Sequence, residues 1–287
     1  MKRFLVTLAI VACSLSHTLA QNPGKPSPKK DNMNRIERAK QTYEKLFKQV
    51  QSVTASDDPE LMTILQRFIF GEVFYTGNLS DTTRELITIT ALTVNQTLPQ
   101  LKAHTTAALN IGVKPVEIRE VIYQLAPLIG YPKVLNALDT INSVFKSRGI
   151  GLPLKNEGTV SEEQRFEKGK ELQAPLYGEG MKQNMKDLPG EFADAIPRML
   201  TETFFGDYYT RNGLAVQTRE LMIFCALATL GGTERQMASH AVGNIKVGND
   251  KETLLAALVQ LYPYIGFPRI ANAIYAIRDV KIEKDVK

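Results

Sequence analysis

The stretch Arg84-Glu85-Leu86-Ile87-Thr88-Ile89-Thr90 decides the fold of this chain. Taken alone, its alternating β-branched residues are typical of a strand. A second copy starts 135 residues later as Arg219-Glu220-Leu221-Met222-Ile223-Phe224-Cys225, and its residues favour a helix. Because repeated segments share a structure, and because no hairpin turn follows either copy, we predict that both are buried helices.

The repeat extends in both directions from this stretch. Further matched positions are Phe70 and Phe205, Gly71 and Gly206, His104 and His240, and Gly130 and Gly266. The spacing grows from 135 to 136 residues after the turn near Gly231, where one residue has been inserted. Two modules of one design therefore stand in tandem, and the sequence predicts an all-α fold of two helical-bundle modules.

The expected bounds of the modules are residues 34–147 and 161–287. A linker at 148–160, rich in Gly, Pro, Lys and Asn, separates them. Leading helices are predicted at about Asn34–Gln51 and Ser161–Gly178.

The sequence of each module also predicts the helices that follow the repeated stretch. Thr97-x-x-Gln100 and Thr233-x-x-Gln236 have the pattern of capping boxes, which begin a helix by satisfying its free N–H groups. The helix after them carries the histidine and is expected to end near Gly112 or Gly248. The next helix in each module contains a proline, which should kink it.

The N-terminus predicts export. Residues 1–20 have a basic start, an apolar run and small residues before a cleavage site, as a secretory signal peptide does. This run is too short to span a membrane, and residues 21–33 read as a flexible tether. The protein is therefore expected to be periplasmic or secreted. A lipoprotein cleavage site at Cys13 is the less favoured alternative.

Charge and cysteine content exclude several classes of protein. Loss of Lys2 and Arg3 with the leader would lower the formal net charge from +5 to +3, and basic residues are scattered, so we expect no nucleic-acid partner. Cys225 would then be the sole cysteine, which excludes an intrachain disulfide. Its apolar neighbours favour a small buried side chain over a reactive thiol.

A Glu–His pair is expected in each module. Glu85 precedes the turn near Gln96 by 11 residues and His104 follows it by 8, so in an antiparallel hairpin their levels differ by roughly 4–5 Å. Glu220 and His240 obey the same spacing. A carboxylate that orients an imidazole is a common acid–base unit. The alternative is that each Glu pairs with its neighbouring arginine and each His only packs.

Metal and cofactor chemistry are not expected. Catalytic zinc usually needs three protein ligands, whereas each module offers one histidine and no His/Cys cluster. A nucleophile elbow and a glycine-rich phosphate loop are also missing from the sequence.

These residues resemble the carboxymuconolactone decarboxylase family, which also contains the alkylhydroperoxidase-D-like proteins. The segments that carry the resemblance in the first module are Leu79-x4-Arg84-Glu85-Leu86-Ile87, His104-x3-Ala108-x3-Gly112, Glu117-Ile118-x-Glu120 and Gly130-Tyr131-Pro132. Those in the second are Asn212-Gly213-Leu214-x4-Arg219-Glu220-Leu221, His240, Gly248 and Gly266-Phe267-Pro268. The resemblance implies an all-α homo-oligomer, here a trimer of two-module chains.

The hydroperoxidase branch of that family carries a Cys-x-x-Cys motif shortly before the motif histidine. The matching positions here are Thr97 and Gln100, then Thr233 and Gln236. Thiol-dependent peroxidase chemistry therefore lacks its nucleophile, and a peroxiredoxin-like activity follows from family membership only.

The decarboxylase branch implies loss of CO2 from a lactone carboxylate without a metal or organic cofactor. The resemblance then makes His104 or His240 the proton donor, with Glu85 or Glu220 orienting it. This branch has a Trp-Ser-Arg-Pro-Gly-Leu motif, which reads Tyr209-Thr210-Arg211-Asn212-Gly213-Leu214 in the second module. Arg211 would hold the substrate carboxylate, so the second module is expected to be the better catalyst.

The leading hypothesis is thus a secreted, cofactor-independent lyase or isomerase acting on a small carboxylated or lactone-like substrate. A binding or scaffold protein that kept the fold without the chemistry is the second hypothesis. A hydroperoxide reductase is the third.

Overall fold

A computed structural model describes residues 33–50, 53, 54, 56–178, 180–278 and 280. The predicted leader, Cys13 and the tether up to residue 32 lie outside the described residues. Every regular element among the described residues is helical, which confirms the predicted all-α fold. None of these helices combines the length and apolar character of a membrane span.

The matched helices of the two modules follow one order, with α9 inserted in the second module and α5 and α6 together matching α13. Those before the linker are α1 Arg35–Phe47, α2 Pro59–Gly71, α3 Asp81–Asn95, α4 Leu98–Asn110, α5 Pro115–Tyr123, α6 Ala126–Ile129 and α7 Tyr131–Ser147. Those after it are α8 Arg165–Tyr177, α9 Gly180–Met185, α10 Phe192–Leu200, α11 Val216–Leu230, α12 Glu234–Lys246, α13 Lys251–Ile265 and α14 Phe267–Arg278. Short 3-10 turns lie at Val73–Tyr75 and Glu162–Gln164, and a π-helical segment lies at Thr201–Tyr209.

The stretch that looked like a strand is helical in both modules, as the repeat predicts. It forms most of α3 and α11, and each of these helices has eleven consecutive buried residues. The hydroxyls of Thr88 and Thr90 donate to the carbonyls of Arg84 and Leu86, four residues back, at 3.0 and 2.8 Å. Because this bond hides the polar atom inside the helix, threonine is tolerated at a buried helical position.

The two predicted capping boxes are absent, although both helices begin where they were expected. Neither Thr97 nor Thr233 accepts a hydrogen bond from its own helix. Each hydroxyl instead donates backwards, Thr97 to the carbonyl of Leu92 at 3.4 Å and Thr233 to that of Leu227 at 2.7 Å. These threonines therefore close the end of the preceding helix, whose last carbonyls would otherwise lack a donor.

The two repeated prolines have different effects. Pro127 lies near the start of α6, and the helix is interrupted between Tyr123 and Ala126. Pro263 lies inside α13, which continues to Ile265. The sequence predicts a kink at both prolines; the helix is interrupted before Pro127 in the first module, whereas it continues through Pro263 in the second.

The two modules share one hydrophobic core. Helix α3 packs against α11 and α13, so the central helices of the modules touch each other. Polar bonds cross the same junction: Arg84 donates to Gln260 at 3.1 Å, and its repeat mate Arg219 donates to Gln124 at 3.3 Å. Each module thus supplies a glutamine to the buried arginine of the other.

The leading helix of each module crosses the following helical segment at a glycine. A Cβ placed on Gly71 would overlap the carbonyl oxygen of Arg35, and one placed on Gly206 would overlap that of Arg165. Arg35 and Arg165 are therefore equivalent positions in the two modules. This equivalence aligns the residues of α1 with those of α8. The pairs Arg35–Glu72 and Arg165–Asp207 form ion pairs at the same crossing.

We expect Gly206→Ala to lower the free energy of unfolding by about 1–3 kcal/mol, since the added methyl meets backbone rather than a movable side chain. Gly151→Ala is the matched control, because a Cβ there meets nothing within 4 Å. Urea unfolding followed by circular dichroism measures both. Equal stability of the two variants would contradict close packing at this crossing.

Candidate active site

The structure brings Glu85 and His104 together in the first module. Glu85 lies in the first turns of α3 and is fully buried, while His104 lies in the middle of α4 and exposes 9% of its side chain. The Oε2 atom of Glu85 is 2.9 Å from Nδ1 of His104. The carboxylate therefore accepts the Nδ1 proton, which fixes the orientation of the ring.

The second module repeats the arrangement. The Oε2 atom of Glu220 is 3.1 Å from Nδ1 of His240, and His240 exposes 15% of its side chain. No residue of the described chain forms a hydrogen bond with Nε2 of either histidine. Both rings are thus held through Nδ1 and keep Nε2 for other partners. Whether the four residues are catalytic stays a prediction.

The neighbouring arginines do not take the carboxylates. Arg84 donates to the carbonyls of Thr76 and Gly77, both at 2.9 Å, as well as to Gln260. Arg219 bonds to carbonyls at the equivalent positions. The alternative in which each Glu pairs with its adjacent arginine is therefore wrong, because these guanidinium groups hold the loop before the helix.

Two tyrosines that sequence reasoning missed complete the second-module cluster. Tyr177 donates to Glu220 Oε2 at 2.6 Å and lies 2.7 Å from Nδ1 of His240, and Tyr209 donates to Glu220 Oε1. Burial and the nearby Glu220 carboxylate raise the pKa of both phenols, so they stay neutral donors. Every carboxylate oxygen of Glu220 is therefore bonded.

The first module has phenylalanines at the matched positions. The register of the leading helices pairs Phe47 with Tyr177, and the repeat pairs Phe74 with Tyr209. Phe47 meets His104 edge to face, with ring centroids 5.8 Å apart, and has no hydroxyl to offer. The exchange of Phe74 for Tyr209 is visible in the sequence repeat and was an available signal, whereas the match of Phe47 with Tyr177 follows only from the register of the leading helices.

A second substitution accompanies the lost hydroxyl. In the second module a Cβ on Gly243 would overlap the hydroxyl of Tyr177. The residue matched to Gly243 in the repeat is Ala107, and it belongs to the first module, which has Phe47 in place of Tyr177. The glycine thus provides the room for the phenol, and the alanine fills that room where the phenol is missing.

Arg211 binds a protein carboxylate. Its Nε and Nη2 atoms donate to the two oxygens of buried Glu120, at 2.9 and 3.0 Å. It also lines a cavity of about 470 Å³ between the modules, together with Tyr123, Tyr131 and Tyr208. The residues that line this cavity do not include Glu220 or His240. The structure therefore gives Arg211 a structural partner, and a role toward substrate stays a prediction.

The described residues do not favour thiol or metal chemistry. Cys225 is fully buried in α11, and burial raises the pKa of its thiol. Within the described part of the chain, no three His, Cys, Asp or Glu side chains are placed to hold a metal ion.

We expect a non-additive double-mutant cycle at Tyr177 and Gly243. Each of Tyr177→Phe and Gly243→Ala should cost about 1–3 kcal/mol of unfolding free energy, the first by leaving Glu220 short of a donor and the second by overlap. The double variant recreates the Phe47–Ala107 combination of the first module. Its cost should fall below the sum of the two by at least about 1 kcal/mol.

Chemical denaturation of the four proteins measures this coupling. Gly151→Ala is the control for Gly243→Ala, because it adds a methyl group in open space. Gly232→Ala would not serve, because the positive φ of Gly232 would add backbone strain. Strict additivity would show that the hydroxyl and the missing Cβ are independent.

Comparisons with known proteins agree with the repeat and the fold. The family model for the carboxymuconolactone decarboxylase family matches residues 59–142 and 194–279. A crystal structure of a candidate gamma-carboxymuconolactone decarboxylase subunit from Burkholderia xenovorans is similar over 84% of this chain and 94% of that chain, with a TM-score of 0.52 and 19% identity. This likeness concerns the fold alone.

A curated relative is an uncharacterised 15.0 kDa protein of Paracoccus denitrificans, from the nqo9–nqo10 intergenic region. It is 38% identical over 78 residues, which are 26% of this chain and 58% of that protein. The match thus spans a little over half of the relative's length. Since the family model covers more than half of the chain in two separate segments, this protein belongs to the carboxymuconolactone decarboxylase family, in a form with two tandem modules.

Proposed function

We propose that this protein is a cofactor-independent lyase that acts on a small carboxylated or lactone-like substrate. The observation that carries the proposal is the Glu–His bond that recurs in both modules, with a buried carboxylate on Nδ1 and an Nε2 to which no described residue bonds. A histidine held in this way is prepared to exchange a proton at Nε2.

The proposed chemistry follows from this geometry. When the bond to the carboxyl carbon breaks, CO2 leaves and the electron pair stays on the substrate, where a conjugated carbonyl oxygen takes up the negative charge. A protonated His104 or His240 returns a proton to carbon through Nε2, and solvent restores the proton of the ring. Glu85 or Glu220 keeps the imidazole in place through Nδ1 and stabilises its charged form.

A binding or scaffold role is the second candidate function. It is favoured by the second-module cluster, in which Tyr177 and Tyr209 already satisfy Glu220. A buried carboxylate whose two oxygens are both hydrogen-bonded within the protein is typical of a structural element. A hydroperoxide reductase has the least support, because Thr97 and Gln100 occupy the cysteine positions and Cys225 is buried.

Export to the periplasm or the medium is also a proposal, and it rests on residues 1–20. Assembly into a homo-oligomer, such as a trimer of two-module chains, is supported by apolar side chains that both modules expose at matched positions. Leu61 and Ile64 on α2 are 61% and 65% exposed, and their repeat mates Ile196 and Met199 on α10 are 40% and 56% exposed. Repeated exposed apolar stripes are typical of protein interfaces.

We expect the double variant His104→Gln/His240→Gln to lose turnover of 4-carboxymuconolactone or related γ-lactone carboxylates by about 10²–10⁴-fold, the usual loss for a removed acid–base group. The two single variants, measured separately, show how much of the activity each module contributes. Lys102→Gln, an exposed position on α4, is the control and should keep full activity. CO2 release and the ultraviolet spectrum of the product measure turnover.

Absence of turnover by the wild-type protein with every lactone carboxylate would favour the scaffold role. Retained turnover in the folded double variant would show that the histidines are not the acid–base groups.

We expect Ile64→Lys together with Met199→Lys to reduce the oligomer to single chains, since a charge at the centre of an apolar interface is strongly unfavourable. Light scattering coupled to gel filtration measures the mass. Ile36→Lys, a half-exposed position on α1, should leave the mass unchanged. An unaltered oligomer in the double variant would place the interface elsewhere.

A further inference from the structure

The first-module site contains two buried polar atoms that lack a partner. One is Oε1 of Glu85 and the other is the hydroxyl of Tyr264. The cost of leaving a buried polar group unpaired exceeds the net gain from an ordinary hydrogen bond, so each such atom calls for an explanation. Their position beside His104 makes them part of one site.

Tyr264 reaches this site from the second module. It lies near the end of α13, and its ring meets that of His104 edge to face at 5.8 Å. Its own carbonyl accepts a bond from Asn95 at 3.1 Å, which ties it to the end of α3. The residue is partly exposed although its hydroxyl is buried, so the ring reaches from the surface toward Glu85.

The hydroxyl of Tyr264 has no better partner nearby. Thr88 lies beside it and keeps one acceptor lone pair after donating to the carbonyl of Arg84 and accepting from Gln260, but no hydrogen bond of normal geometry joins the two hydroxyls. Burial and the charge of Glu85 raise the pKa of Tyr264, so the phenol keeps its proton. It is a neutral donor without an acceptor, next to a carboxylate oxygen without a donor.

The second module serves as an internal comparison. There the phenols of Tyr177 and Tyr209 occupy both oxygens of Glu220, and the residue matched to Tyr264 in the repeat is Leu128, which has no polar atom. The same Glu–His pair is therefore complete in the second module and incomplete in the first. The difference lies in the side chains at these matched positions.

We propose that the first module alone forms the substrate site and that Tyr264 of the second module completes it. The ligand it fits is a small oxygenated molecule whose hydroxyl or protonated carboxyl donates to Glu85 Oε1 and accepts from Tyr264, within reach of His104. The second-module cluster then holds the fold together. This inference rests on the proposed function for the reaction, and it reverses the preference for the second module that Arg211 suggested.

A buried water has the same hydrogen-bonding chemistry as such a ligand, and thermal stability separates the two. Removing a hydroxyl that awaits a substrate stabilises the free protein or leaves it unchanged, whereas removing one that a permanent water satisfies destabilises it. Tyr177→Phe is the matched control, because its hydroxyl is bonded in the free protein.

The experiment compares Tyr264→Phe, Tyr177→Phe, His104→Gln and His240→Gln in the chain that contains both modules. Without ligand, we expect the melting temperature of Tyr264→Phe to equal or exceed that of the wild type and that of Tyr177→Phe to fall by several degrees. With 4-carboxymuconolactone as substrate, Tyr264→Phe and His104→Gln should lower kcat about 100-fold or more. The loss of kcat in His240→Gln should be much smaller than the loss in His104→Gln.

Two results would overturn the proposal. One is a melting temperature of Tyr264→Phe that falls as far as that of Tyr177→Phe, which would assign the phenol to a permanent structural bond. The other is turnover that depends on His240 and survives His104→Gln. Lack of turnover in the wild type would contradict the proposed function instead, and the melting temperatures would still decide whether Tyr264 is unpaired.

Discussion

The structure is organised around the burial of one carboxylate at the start of each central helix. Glu85 and Glu220 are fully excluded from solvent in the core that the two modules share. A buried carboxylate is tolerated only where hydrogen bonds or opposite charges replace its water. Because the adjacent arginines hold the preceding loop, that partner must come from another helix. The histidine of the next helix provides that hydrogen bond. The bond forms only when the two helices of the hairpin are in the right register, so the same register also positions the Glu–His pair.

The two modules satisfy this constraint in different ways. In the second, Tyr177 and Tyr209 add two phenol donors, and Gly243 leaves the space that one of them needs. In the first, phenylalanines stand at both positions and Ala107 occupies the space. The change from tyrosine to phenylalanine therefore goes together with the change from glycine to alanine, since a tyrosine opposite Ala107 would overlap its methyl group. The outcome is one closed polar cluster and one that remains open.

Much of this was predictable from the sequence, and the rest had physical reasons to escape. The repeat resolved Leu86–Thr90 as a helix, and the spacing about Gln96 placed Glu85 near His104. The roles of Tyr177 and Tyr264 were not predictable, because one depends on the register of the leading helix and the other on contact between modules. The threonine caps were predicted wrongly because a hydroxyl at a helix start can also bond to the helix before it.

The same asymmetry extends to the arginines beside the carboxylates. Arg219 lies 3.4 Å from Glu120 of the other module, whereas Ala256 occupies the matched position opposite Arg84. Burial lowers the pKa of Arg84 to about 10, and it also lowers the pKa of Arg219, where the nearby Glu120 carboxylate opposes the shift. Nε of the arginine is unpartnered in both modules, whereas an unpartnered carboxylate oxygen beside the histidine occurs at Glu85 and not at Glu220. A site that binds a polar ligand must leave such groups unpaired until the ligand arrives, and it does so at the expense of stability. A duplicated chain can leave one carboxylate oxygen unpaired because both oxygens of Glu220 are bonded in the other module, so the closed cluster around Glu220 helps the open one to exist.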